Sequence, residues 1–135
     1  IGTPRTLGEV IIGRRGSYSA AQSSHHALTV LDTGDGHRVA LPVVRHDSGE
    51  PGADNPWFYW EWTDSALYLF DIDSAGGLQQ RGRVVAEEAT TGQPWPLGDS
   101  WHDRGVVHGD HVYFVHDGRV WSSDWNNPDA LLGPQ

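Results

Sequence analysis

The residues with the most chemistry to offer are aromatic. Trp57, Phe58, Tyr59, Trp60 and Trp62 crowd into the run WFYWEW, and Trp95 and Trp101 follow in a later polar stretch. Exposed rings of this kind stack on sugars, on bases or on another protein's apolar groups. The competing expectation is core packing beneath a long loop. These residues are the candidate interface or ligand-binding set. Histidine is also abundant, eight in all, and His25, His26, His102, His108, His111 and His116 offer nitrogen to a zinc or copper ion. Their spacing matches no ligand pattern, because an odd separation puts His111 and His116 on opposite faces of a strand. Surface or hydrogen-bonded histidines are expected, and no metal ligand is assigned.

Acidic residues open two further chemistries. DTGDG (32–36) and DIDSAGG (71–77) hold alternating carboxylates of the kind that converge on a hard cation, so calcium is the one cofactor worth weighing. Neither segment carries the distal Glu of a helix–loop–helix calcium site, and Asp and Gly are common in hairpin turns anyway. No cofactor is expected. Asp47, Glu50, Asp54, Glu61, Glu87 and Glu88 lie in or beside loops where a carboxylate pair would cleave a glycosidic bond. The chain has no Gly-x-Ser-x-Gly elbow, phosphate-cradling loop or His-Glu-x-x-His element, so no catalytic residue is assigned and a non-enzyme is expected.

The elements that must position these residues are strands. From Ser65 to Val85 the chain reads as strand, Gly-containing turn and strand. Ala66, Tyr68, Phe70 and Ile72 share one face and Leu67 and Leu69 the other, so the first of these strands expects cover on both sides. The spacing predicts further strands at 8–13, 25–31, 38–44, 57–62, 104–108, 111–116 and 119–124, with one helical turn at 129–132 after Asn127 and Pro128. Gly109-Asp110 and Asp117-Gly118 are two-residue connections, the mark of an antiparallel meander. Stretches 45–56 and 86–103 are Pro- and Gly-rich excursions.

The expected fold is all-β: antiparallel four-stranded meanders, β-propeller-like, amounting to about two blades. Residues 1–135 form a single segment, with 25–85 as one blade and 104–125 plus 8–13 as a second, incomplete one. A net charge of -9, with all nine basic residues Arg, argues against nucleic-acid or anionic-membrane partners. No apolar run is long enough to span a bilayer, no signal peptide is visible, and the sequence begins at Ile1. The absence of cysteine leaves the compartment unread.

The runs IIGRRGSYS, SHHALTVLDTGDGHRVALPVV, ALYLFDIDSAGGLQQRGRV and DRGVVHGDHVYFVHDGRVWSSD resemble, in that order, secreted prokaryotic proteins with a C-terminal β-propeller domain. The resemblance covers about two thirds of the chain, and WFYWEW and 86–103 depart from it. It implies a propeller fold and an extracellular or cell-surface location. The expected function is a non-catalytic structural or interaction module of an exported protein, self-associating through strand edges and the Trp-rich insertions. Its partners would be other copies of itself or the remainder of a longer propeller chain. The alternative is a glycan-binding or glycan-hydrolysing propeller.

Overall fold

The computed structural model describes residues 3, 5–49, 55, 57–91, 93 and 95–135. They build two antiparallel four-stranded sheets, each a simple meander in sequence order. The first holds β1 (Thr29–Asp32), β2 (Gly36–Ser48), β3 (Glu61–Asp73) and β4 (Leu78–Glu88). The second holds β5 (Arg104–His108), β6 (His111–His116), β7 (Arg119–Asp124) and β8 (Asn127–Leu132). The β6–β7 turn is sharp because Asp117 and Gly118 both take positive φ, the requirement of a two-residue hairpin with the right twist.

Strand alternation then places the core. Leu67 and Leu69 of β3, with Ala40 and Val84 beside them, face Val112, Phe114, Trp121 and Trp125 of the second sheet, all at most 3% exposed. Gly105 sits opposite Leu67, and the missing side chain lets the sheets approach. Polar ties lock them together: Thr29 Oγ1 donates to the Gly105 carbonyl at 2.6 Å, Trp125 Nε1 to Asp71 at 3.1 Å, and Arg38 to Asp110 at 2.7 Å. The other face of β3 carries Ala66, Tyr68 and Phe70, which pack with Val43 and with Ile12 from the N-terminal stretch. Both faces of β3 are therefore covered, as its double apolar pattern requires.

The outer face ends in a buried charge. Asp64, 1% exposed, accepts from Arg45 at 2.9 and 2.6 Å, from Arg83 at 3.0 Å and from the Tyr68 hydroxyl at 3.2 Å. Burial and the Asp64 charge push the Tyr68 phenol up from its ordinary value, so the hydroxyl remains a donor. The cluster stitches β2, β3 and β4 side by side.

Four expectations from the sequence need correction. Residues 8–13 form no strand and do not complete the second sheet; they lie over the outer face of the first, where a side chain on Gly8 would meet Leu78. The fourth strand of the second sheet is β8, where a helical turn was expected over 129–132. A two-residue turn at Trp125-Asn126 joins β7 to β8, so pairing needs almost no loop closure, and an edge strand tolerates Pro128. Over 25–31, His25–Ala27 is a 3-10 turn and the strand starts only at Thr29. Over 57–62, only Glu61 and Trp62 are in a strand, because Trp60 N–H bonds instead to the Arg15 carbonyl at 3.0 Å.

Candidate functional site

The aromatic residues gather at one end of the two-sheet stack, where the segments around 14–18, 57–60 and 95–103 meet. Residues 14–18 prolong the sheet edge beyond β1: Arg14 N–H donates to the His46 carbonyl at 2.8 Å, and Tyr18 exchanges both backbone bonds with Val44 at 3.1 and 2.9 Å. His46 is buried, and its Nδ1 donates to the Trp60 carbonyl at 2.7 Å. A carbonyl only accepts, so this nitrogen carries the proton. The Arg14 guanidinium lies 4.2 Å above the Trp60 ring, and Phe58 meets that ring edge-on at 5.8 Å. The Trp95 ring lies 6.3 Å from His46 and the Trp101 ring 6.0 Å from Tyr18, whose hydroxyl shares a 2.7 Å hydrogen bond with Ser100.

Of the sequence candidates, Trp57, Tyr59, Trp95 and Trp101 are between 62% and 79% exposed. Phe58 and Trp60 are half-buried beneath them. Trp62 is 1% exposed and belongs to packing, since it starts the buried alternation of β3 that continues through Asp64 and Ala66. Sequence reasoning missed Tyr18 and His46, whose surroundings carry no aromatic enrichment.

A carboxylate frame fixes the loop that bears Trp95 and Trp101. Glu87, at the end of β4, accepts from the Leu97 and Gly98 amides at 3.2 and 3.4 Å, and Asp117 accepts from Asp99 N–H at 3.3 Å. Asp99 in turn caps Trp101 N–H at 2.9 Å, and that bond holds its carboxyl below the ordinary range. Beneath the loop, His116 Nδ1 donates to Asp103 at 2.9 Å, while its Nε2 lies 3.6 Å from Glu87. Both His116 and Asp103 are buried. Burial works against protonation of His116, but the hydrogen bond and charge of Asp103, with Glu87 behind, outweigh it and raise its pKa. Burial pushes the Asp103 carboxyl up as well, and His116 offsets only part of that. The sequence holds a signal for this pair that spacing arguments passed over: His116 falls in step with Val112 and Phe114 on the inward face, where an imidazole demands a partner.

The remaining candidates are dispersed. Asp47 pairs with Arg14 at 3.0 Å and Arg45 at 3.1 Å, Glu88 points outward beside Arg83, and Glu61 is exposed; Glu50 and Asp54 lie outside the described residues. The two acidic turns adjoin at the opposite end, lining a shared depression with Asp35, His37, Asp71 and Asp73. Their carboxylates serve local roles: Asp32 caps Gly34 N–H, Asp73 caps Ala75 and Gly77, and Asp71 pairs with Arg81 at 3.1 Å. Among the described residues no group of three or more His, Cys, Asp or Glu is placed to hold a metal ion. His111 is exposed and His116 buried, the alternation expected from their spacing.

A second surface draws attention. The outward face of the second sheet carries Val106 at 47% exposure, Tyr113 at 38% and Leu132 at 67%, with Val115 and Val120 half-buried between them. Tyr113, Ser122, Ala130 and Leu132 line a groove of about 440 Å³ across it. On the matching face of the first sheet Ile12 packs over Tyr68 and Phe70, with Val30 left 56% exposed at its edge, whereas among the described residues Val106, Tyr113 and Leu132 stay open to solvent.

Comparison with known proteins places these features in context. Over 83 residues the chain is 30% identical to "Probable pectin lyase F-2" of Aspergillus terreus, a match covering 56% of this chain and 17% of that protein. The chain thus spans less than a fifth of that relative. No solved structure matches. A family model described as "Beta propeller domain" matches residues 1–128, and with its two packed four-stranded meanders the chain belongs to that β-propeller family.

Proposed function

We propose that this chain is a non-catalytic structural and interaction module of an exported protein, and that it self-associates through the outward face of its second sheet. Membership of the propeller family supports an interaction or structural role in general and is not itself a sign of catalysis. The exported setting rests on the resemblance to secreted propeller proteins. The name of the partial relative adds a carbohydrate-containing setting to the proposal, and no lyase reaction.

The observation that carries self-association is the asymmetry between the two outer faces. Propeller sheets are covered on both sides by neighbouring blades. Here Tyr68 and Phe70 are at most 6% exposed under the N-terminal stretch, whereas Val106, Tyr113 and Leu132 are open to solvent. A contact that uses this same face on both copies is self-complementary and closes as a two-fold dimer. Strand edges serve less well: β1 has only four residues, and β8 carries Pro128, which is packed against Gly82. Four strands about 4.8 Å apart make a footprint toward the small end of specific interfaces.

Light scattering coupled to gel filtration tests this. The expected species at high micromolar concentration has twice the 14.9 kDa chain mass, and Tyr113→Glu or Leu132→Glu returns it to one chain with an unchanged circular dichroism spectrum. A wild-type monomer across that range, or a dimer that survives both substitutions, overturns the proposal.

A further inference from the structure

We infer that the aromatic loop end is a carbohydrate-binding platform in which Trp95 and Trp101 stack on the faces of successive sugar rings. The inference rests on the interaction-module reading but uses the opposite kind of surface from the dimer contact, and it requires no second copy.

Three observations converge on this ligand class. Trp95 and Trp101 are 65% and 63% exposed, and each is backed on one side by another ring, His46 and Tyr18 respectively. The backing rings belong to adjoining antiparallel segments, since Tyr18 pairs with Val44 and Arg14 bonds to the His46 carbonyl. Both indoles thus lean on the same edge of the first sheet. An indole face carries negative potential, and the axial C–H groups of a pyranose carry weak positive potential, so the two attract while apolar area is buried.

The groups between the indoles are mixed: Leu97 is 81% exposed, and the exposed Asp99 carboxylate stands two residues on. Asp99 and Ser100 separate Trp101 from Leu97 and Gly98, His102 is exposed beside Asp99 at 3.3 Å, and Gln93 bonds to the Trp95 carbonyl. A protein-docking hot spot surrounds its aromatic anchor with further apolar contacts that exclude water. Here, beside the exposed Leu97, the Asp99 carboxylate, the His102 imidazole and the Gln93 amide frame the rings, a mixture that suits a ligand with apolar faces and hydroxyl-bearing edges. The chain's net charge of -9 opposes the other common stacking ligand, a nucleic acid.

The platform is also rigid. Glu87, Asp99 and Asp117 hold four loop amides between them, and the Asp103–His116 pair anchors the loop's far end. Fixing the rings before binding removes the ordering cost that would otherwise cancel the modest gain of each stacking contact. The frame below and the rings above make one unit.

The test is affinity electrophoresis of the whole chain through gels containing galactan, arabinoxylan, a mixed-linkage glucan or methyl-esterified pectin, followed by calorimetry with hexasaccharides of any polymer that retards it. Retardation by at least one polymer is expected. Trp95→Ala and Trp101→Ala should each weaken binding about tenfold, Trp101→Phe should retain most of it, and native mass should not change. No retardation in any gel, or alanine variants that both bind as tightly as the unsubstituted chain, overturns the inference. Retardation lost only in the Tyr113→Glu variant also overturns it, because the sugar would then depend on the dimer contact.

Discussion

Removing the negative charge of Asp103 tests the frame beneath the aromatic loop. Asp103→Asn keeps the shape of the side chain and an oxygen to accept from His116 Nδ1, but takes away the charge that most favours the imidazolium. The folded-state pKa of His116 is raised above 6.5. Its contribution to stability is thus complete below about pH 6.5 and is lost as pH climbs through the raised value. Asp103, also raised, favours its protonated form in the folded state, and that contribution fades as pH passes its own folded value. At pH 6 the variant leaves a buried cation facing only Glu87 at 3.6 Å. Breaking one side of a buried pair costs about 3–5 kcal/mol, and the surviving carboxylate sets the loss near the lower figure, about 3 kcal/mol. As pH climbs toward 9 through the raised value, the imidazole gives up its proton and the variant no longer buries a carboxylate, so the loss shrinks toward about 1 kcal/mol, the worth of a neutral hydrogen bond. Urea unfolding followed by tryptophan fluorescence at the two pH values measures both numbers. Equal losses at pH 6 and 9, or a loss that grows with pH, would refute the reasoning.

Two further substitutions probe what holds the sheets. Asp64→Asn strips the buried acceptor from Arg45 and Arg83, but both guanidiniums reach water, so about 2–3 kcal/mol is expected by chemical denaturation, below the range for a fully enclosed pair. Gly105→Ala places a methyl group 2.7 Å from a Leu67 methyl and 3.3 Å from the Ala40 side chain, where the two sheets approach closely. Overpacking there should cost about 1–3 kcal/mol, and a urea midpoint equal to wild type would show that Leu67 moves freely.

Much of the architecture was legible because strand alternation is local. The two-faced apolar pattern of Ala66 to Ile72 called for a central strand with cover above and below, and β3 is that strand. The short turns at Gly109-Asp110 and Asp117-Gly118 announced the second meander, and the chain's all-β class followed. Where the reading failed, a longer-range contact won. GEVIIG has the composition of a strand, but Ile12 finds its apolar partners on the outer face of the first sheet instead of in a ladder. Asn127 and Pro128 signal a helical start, yet the adjacent edge of β7, and a Ser123 hydroxyl donating to the Pro128 carbonyl at 2.9 Å, draw them into β8.

The candidate surfaces divide the same way. Sequence alone marked the Trp-rich stretches, because aromatic enrichment is a property of composition. It could not separate Trp62, sealed at 1% exposure, from Trp57 at 79%, since the point where a loop becomes a strand decides which rings turn inward. Nor could it join Trp95 to His46, Trp101 to Tyr18 or His116 to Glu87, which are far apart along the chain and meet only in the folded stack, whereas Asp103 reaches His116 across the β5–β6 pairing itself. The period-two pattern determined the strands, being written in neighbouring residues. Which faces stay open, and which polar groups share a buried site, was decided by the packing of one sheet on the other.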